Sequence, residues 1–180
     1  MIAPASIEIE ICHSLRKSAA DLWAAGHKDN TTWTEAIKRL LIDLGKKSGY
    51  QICTSGFPNE TEPGWLYDLV WYQENEQRYL LDVPLVVESE WNENYGHIKF
   101  DFEKLIAARA NHRLMVCQCR TLRKEERLEY FRNAIKTYRH CQPGDRYLIA
   151  LLDVMDATYH FELLVLKDIK TVEVVPIHLP

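Results

Sequence analysis

Three carboxylates on two apolar segments carry the first chemical signal. Leu85-Val86-Val87-Glu88-Ser89-Glu90-Trp91 follows Tyr79-Leu80-Leu81 and has the β-branched and aliphatic character of a buried strand. Alternation along a strand puts Val86, Glu88 and Glu90 on one face, and Leu85, Val87, Ser89 and Trp91 on the other. The segment from Trp65 to Tyr72 reads as a second strand, with Asp68 on the face of Leu66 and Val70. A polar stretch, Gln73-Glu74-Asn75-Glu76-Gln77, joins the two and implies an antiparallel hairpin. That hairpin brings Asp68 toward the Glu88 region without defining the register. Carboxylates converging on one sheet face are costly unless they are protonated or meet a cation. A hard ion such as Mg²⁺ takes carboxylate oxygens, and Mn²⁺ suits the same ligands. The plainer alternative is a strand that enters solvent at Glu88, with both glutamates hydrated.

Helices and further strands must hold these groups. Ile7, Ile11 and Leu15 recur at helical spacing, and the pattern predicts a helix over residues 6–25. Thr31 or Thr32 can cap a second helix, with Trp33, Ile37, Leu40, Leu41 and Leu44 as its apolar stripe and an end near Lys47. Glu35 is then either the capping-box partner of Thr32 or a free acid. A short strand over residues 50–53 runs into a loop marked by Gly56, Pro58, Pro63 and Gly64. Asp101 can cap a helix over residues 102–110, which leaves Lys104 in the first turn. A cation is unfavourable there unless an anionic site faces it, the alternative being a surface lysine in water. Residues 114–119 form a buried strand, residues 124–139 a helix with Leu128, Phe131, Ile135 and Tyr138 inward, and residues 147–154, 159–166 and 171–177 three more strands.

With 180 residues, 47% apolar and 27% charged, the chain fits one domain over residues 1–180. It has neither an apolar run long enough to cross a bilayer nor a secretory signal pattern, so no membrane association and a cytoplasmic setting are expected. The five cysteines form an odd set without a disulfide framework, which agrees. The glycosylation-type triplets at Asn30 and Asn59 then carry no meaning. Cys117-x-Cys119, with His112, His140 and Cys141 not far off, reads as buried thiols rather than as a zinc set, since the short paired loops of zinc sites are missing. Trp65, Tyr67, Trp71, Tyr72 and Trp91 read as core. The net charge of −4 weighs mildly against nucleic-acid binding by bulk electrostatics, but its distribution is uneven. Residues 68–103 are acidic, whereas Arg113, Arg132, Lys136 and Arg139 belong to a basic run over residues 104–139. An acidic centre beside a basic segment suits a metal-dependent enzyme acting on a phosphate polymer.

The order helix, strand, strand, strand, helix, strand, with Asp68, then Glu88-Ser89-Glu90, then Asp101-Phe102-Glu103-Lys104-Leu105, resembles the PD-(D/E)XK nuclease superfamily over roughly residues 31–120. The resemblance implies an α/β restriction endonuclease-like core: three layers, with a central mixed sheet flanked by helices, the N-terminal helix and C-terminal strands being additions. Tyr67 stands where the family has its name-giving proline, and Glu90 where it has its lysine. Some members carry a glutamate there, and in others the lysine has migrated to the next helix, here Lys104. The implied activity is metal-dependent hydrolysis of phosphodiester bonds, with DNA as the expected polymer. Asp68 and Glu88 would hold Mg²⁺, while Glu90, Lys104 and the helix acid Glu35 would be catalytic. Arg113, Arg132, Lys136 and Arg139 would contact backbone phosphates. Cutting both strands of a duplex would favour a homodimer. The alternative is an inactive nuclease-fold module that binds nucleic acid or a protein partner. Paired carboxylates for glycoside cleavage rank last, because nothing resembles a sugar cleft.

Overall fold

A computed structural model describes residues 2–57 and 60–179. Pro58 and Asn59, assigned above to a loop and to an acceptor triplet, lie outside the described residues. Four α-helices pack on one seven-stranded mixed sheet, giving a layered α/β protein. The helices are α1 (Ser6–Ala24), α2 (Asn30–Lys47), α3 (Tyr95–Ala107) and α4 (Lys124–Thr137). The strands are β1 (Gln51–Thr54), β2 (Leu69–Glu74), β3 (Leu80–Glu90), β4 (His112–Gln118), β5 (Arg146–Asp153), β6 (Thr158–Asp168) and β7 (Thr171–Val175), lying in sequence order across the sheet. The centre β3-β4-β5 is parallel, and β1-β2 and β6-β7 extend it with antiparallel pairs. The C-terminal strands therefore continue the core sheet. Among the described residues, no helix is long and apolar enough to cross a membrane.

Strand alternation separates two cores. Leu69, Trp71, Leu85, Val87, Trp91, Leu114 and Val116 face α1 and α2. Val70, Tyr72, Val86, Met115, Cys117 and Ile149 face α3 and α4. The α2 helix comes unusually close to the sheet at Gly45, where a Cβ would lie 2.4 Å from Ile52 Cδ1 and 2.6 Å from Trp71 Nε1. Only glycine fits. The same tryptophan donates to the Leu41 carbonyl at 3.0 Å, so the helix and β2 are locked by a buried hydrogen bond.

Several local expectations need correction. The cap of α2 is Asp29, whose side chain accepts from the Thr32 amide at 2.8 Å, so the Thr32–Glu35 capping box does not form. Asp29 wins because a cap one turn earlier adds Asn30 to Thr32 to the helix. Helix α3 starts at Tyr95, capped by Asn94 accepting from Gly96 at 2.9 Å, and Asp101 lies inside it. Lys104 consequently sits in the last turn, where the helix dipole favours a cation. The second strand begins only at Leu69, and Trp65 and Leu66 are 47% and 68% exposed. Trp65 is thus no core residue, unlike Trp71, Tyr72 and Trp91. Tyr138 lies past the end of α4 and is exposed as well. Cys12, Cys53, Cys117 and Cys119 are buried free thiols, with Cys141 half-buried.

Candidate active site

The hairpin register builds the site. Leu69 pairs with Val87, so continuing by one residue sets Asp68 opposite Glu88. Asp68 is fixed at both ends: Thr54 Oγ1 donates to its carbonyl at 2.6 Å, and its Oδ2 accepts from the Ser89 amide at 2.8 Å and the Ser89 hydroxyl at 2.9 Å. Ser89 thus reaches across the hairpin with both its amide and its hydroxyl. Glu88 is 1% exposed on the α3 side of the sheet. Helix α3 packs on β3 there, and Lys104 Nζ lies 2.6 Å from Glu88 Oε1 and 3.0 Å from Asp101 Oδ1. The contact with Glu88 is a short ion pair on a buried carboxylate.

The charges in this cluster oppose one another. Burial is the dominant influence on Glu88 and pushes its carboxyl up to about 8; Lys104 counteracts it, while the charges of Asp68 and Asp101 push it further. Burial works against the Lys104 ammonium too, but Glu88 and Asp101 outweigh it and hold the amine above its ordinary value. The contact favours the charged form of both partners, and burial outweighs it only at Glu88. Lys104 keeps a second carboxylate and some solvent, whereas Glu88 is sealed in, so the firm conclusion is a charged lysine beside a carboxyl that ionises at a cost. Burial and then the Glu88 charge also raise the Tyr67 phenol.

Glu90 shares the face of Glu88 at the end of β3, but its oxygens turn elsewhere. Oε1 accepts from the Asn92 amide at 2.7 Å, and Oε2 lies 3.6 Å from His97 Nδ1. Glu35 is exposed on α2, which covers the other sheet face, and no hydrogen bond or ion pair among the described residues ties it to the cluster. Arg113 is 3% exposed; it donates to the Ala108 carbonyl at 3.2 and 2.7 Å, pairs with Asp145 at 3.2 Å and stacks on Tyr147. That engagement removes Arg113 from the set of cations free to meet phosphate. Arg132 is paired with Glu162, and Lys136 and Arg139 remain exposed. Asp101, Ser89 and His97 contact the candidate residues Lys104, Asp68 and Glu90, contacts the sequence does not reveal. The i, i+3 spacing of Asp101 and Lys104 on one helix face was the available signal for the first.

Among the described residues, no group of three His, Cys, Asp or Glu side chains converges closely enough to hold a metal ion. The chain matches no family model, no curated protein and no solved structure.

Proposed function

We propose that this chain is a metal-dependent nuclease of the PD-(D/E)XK type, hydrolysing phosphodiester bonds in nucleic acid, with DNA as the expected polymer. The observation that supports the reading is the contact of Lys104 with Glu88 at 2.6 Å, with Asp68 set opposite Glu88 by the hairpin register. The donor set suits Mg²⁺. Both carboxylates offer hard oxygens, with Glu88 Oε1 met by the Lys104 ammonium at 2.6 Å. Mg²⁺ keeps several waters and commonly takes only one or two protein carboxylates plus substrate phosphate, so three converging side chains are not required. Bound there, Mg²⁺ would polarise a phosphoryl oxygen and acidify a water.

The chain's own groups supply the rest. Asp68 is oriented by Ser89 before any ligand arrives, a preorganisation that lowers the cost of binding. Lys104, tethered by Asp101, keeps its ammonium at the site to meet charge growing on the phosphoryl group. Glu90, partly exposed and beside His97, would accept a proton from water only after its carboxylate turns toward the cluster. Lys136 and Arg139 would hold backbone phosphate. A cytoplasmic setting and a dimer on duplex substrates belong to the same proposal.

A second reading has its own observation. Lys104 already neutralises Glu88, and a nuclease fold closed in this way would serve as a non-catalytic module on nucleic acid or a protein partner. Incubation of duplex, single-stranded and plasmid DNA and of RNA with Mg²⁺ or Mn²⁺ separates the two. Wild type is expected to cleave at least one of these, and Lys104→Ala to slow cleavage by about 10²–10³-fold while remaining folded. No cleavage of any substrate by wild type overturns the nuclease reading in favour of the module.

A further inference from the structure

We infer that a cavity on the other side of the same strand end is a site for an unpaired nucleobase of the substrate strand, an assignment that rests on the nuclease reading. The cavity has a volume of about 550 Å³ and is lined by Trp23, His27, Lys28, Trp33, Trp91 and Gln118, among others. That size lies within the range of small-ligand pockets. Its position is telling. Trp91 follows the last residue of β3, Gln118 ends β4 and Leu152 lies near the end of β5, so the cavity opens at the carboxyl ends of three parallel strands. Open α/β sheets receive ligands at those ends. Trp91 lies three residues beyond Glu88, roughly 10 Å along a strand, and by alternation on the opposite face.

The lining selects a flat π-system with polar edges. Three of the chain's five tryptophans meet here. Trp33 and Trp91 pack against each other with ring centroids 6.2 Å apart and an interplanar angle of 58°, which forms a wall and leaves no slot between them. Trp33 is held by donating to the His27 carbonyl at 3.2 Å, and Gln118 donates to the Trp91 carbonyl. Trp23 is the open face, 39% exposed, with Lys28 Nζ 5.7 Å above its ring. A base that stacked on Trp23 would displace Lys28 toward its own phosphate, and stacking of this kind tolerates every base.

The test is fluorescence anisotropy of labelled oligothymidylate in the presence of a chelator, so that binding is read without cleavage. Competitors are an abasic oligomer of equal length and thymidine monophosphate. Wild type is expected to bind oligothymidylate at least about tenfold more tightly than the abasic oligomer. Trp23→Ala is expected to erase that difference while keeping its circular dichroism spectrum. Equal affinity for the abasic oligomer, or binding unchanged in Trp23→Ala, overturns the inference. So does monophosphate binding as tight as that of the oligomer, which would make this a nucleotide site unrelated to the strand. A parallel Mg²⁺ cleavage assay keeps the two failures apart. Cleavage with Trp23-independent binding removes the base site alone, and Trp23-dependent binding without cleavage removes the nuclease reading and leaves a nucleobase site.

Discussion

Glu88→Gln is expected to abolish cleavage, by at least about a thousandfold, and at the same time to make the protein more stable above neutral pH. The second half follows from burial. Glu88 is sealed in the sheet face, and its carboxyl is pushed up to about 8, first by that burial and then by Asp68 and Asp101. Its folded value therefore lies above its unfolded value, and the folded state holds the proton more tightly. Between about pH 4.5 and about pH 8 the folded protein binds more protons than the unfolded one, so stability falls as pH rises. Removing a partner from a buried ion pair usually destabilises because it strands the other charge. Here Lys104 retains Asp101 at 3.0 Å and is 19% exposed, so little is stranded. Relief of the carboxylate wins. The gain at about pH 8 is expected to be on the order of 2–3 kcal/mol, read as a raised urea midpoint, with little difference between the two proteins near pH 5. A variant that is less stable at both pH values would contradict the burial argument.

Glu8→Ala is expected to cost about 3–5 kcal/mol, a large fraction of the stability of an ordinary domain. Glu8 is 1% exposed and accepts from the Ala5 amide at 2.8 Å, from His112 Nδ1 at 2.9 Å, and from Arg146 at 2.8 and 2.7 Å. One carboxylate thus ties the first turn of α1 to the starts of β4 and β5. Loss of the carboxylate leaves the Arg146 guanidinium, 19% exposed, with only the Ala3 carbonyl among the described residues. Burial alone would raise the Glu8 carboxyl, but the hydrogen bonds from Arg146 and then His112 outweigh it and hold it at about 2. The folded value lies below the unfolded one, so this contribution is present in full above about pH 4.5 and is lost as pH falls toward 2. Wild type is expected to lose roughly 3 kcal/mol through this group across that window. Urea denaturation near pH 7 and near pH 3 reads both effects. An Ala variant with an unchanged midpoint at neutral pH would show that the network is not structural.

Much of the fold was legible because periodicity is local. The α1 stripe of Ile11 and Leu15 and the alternation of Val86 and Glu88 needed no tertiary knowledge. The polar turn between β2 and β3 gave the antiparallel pairing, but register shifts around Gln73 hide which residue faces which. The meeting of Asp68 with Glu88 could therefore be expected only as a region. Helix α3 was entered too late because Asn94-Tyr95-Gly96-His97 has loop composition, and the error made Lys104 look misplaced. Arg113 read as a surface cation because Asp145 and Tyr147, which engage it, lie more than thirty residues away. Glu8 was passed over for the same reason, its partners standing 104 and 138 residues along the chain. Local signals find elements and faces. Partners across the fold come only from packing.

Calorimetric titration of Mn²⁺ into wild type, Asp68→Asn and Glu88→Gln tests the central claim without knowledge of the substrate. The account expects wild type to bind, both variants to lose binding, and affinity to rise with pH through the range near 8 in which Glu88 gives up its proton. Folded wild type that binds no Mn²⁺ on either side of that range, or variants that bind as tightly as wild type, would contradict a metal site at these carboxylates.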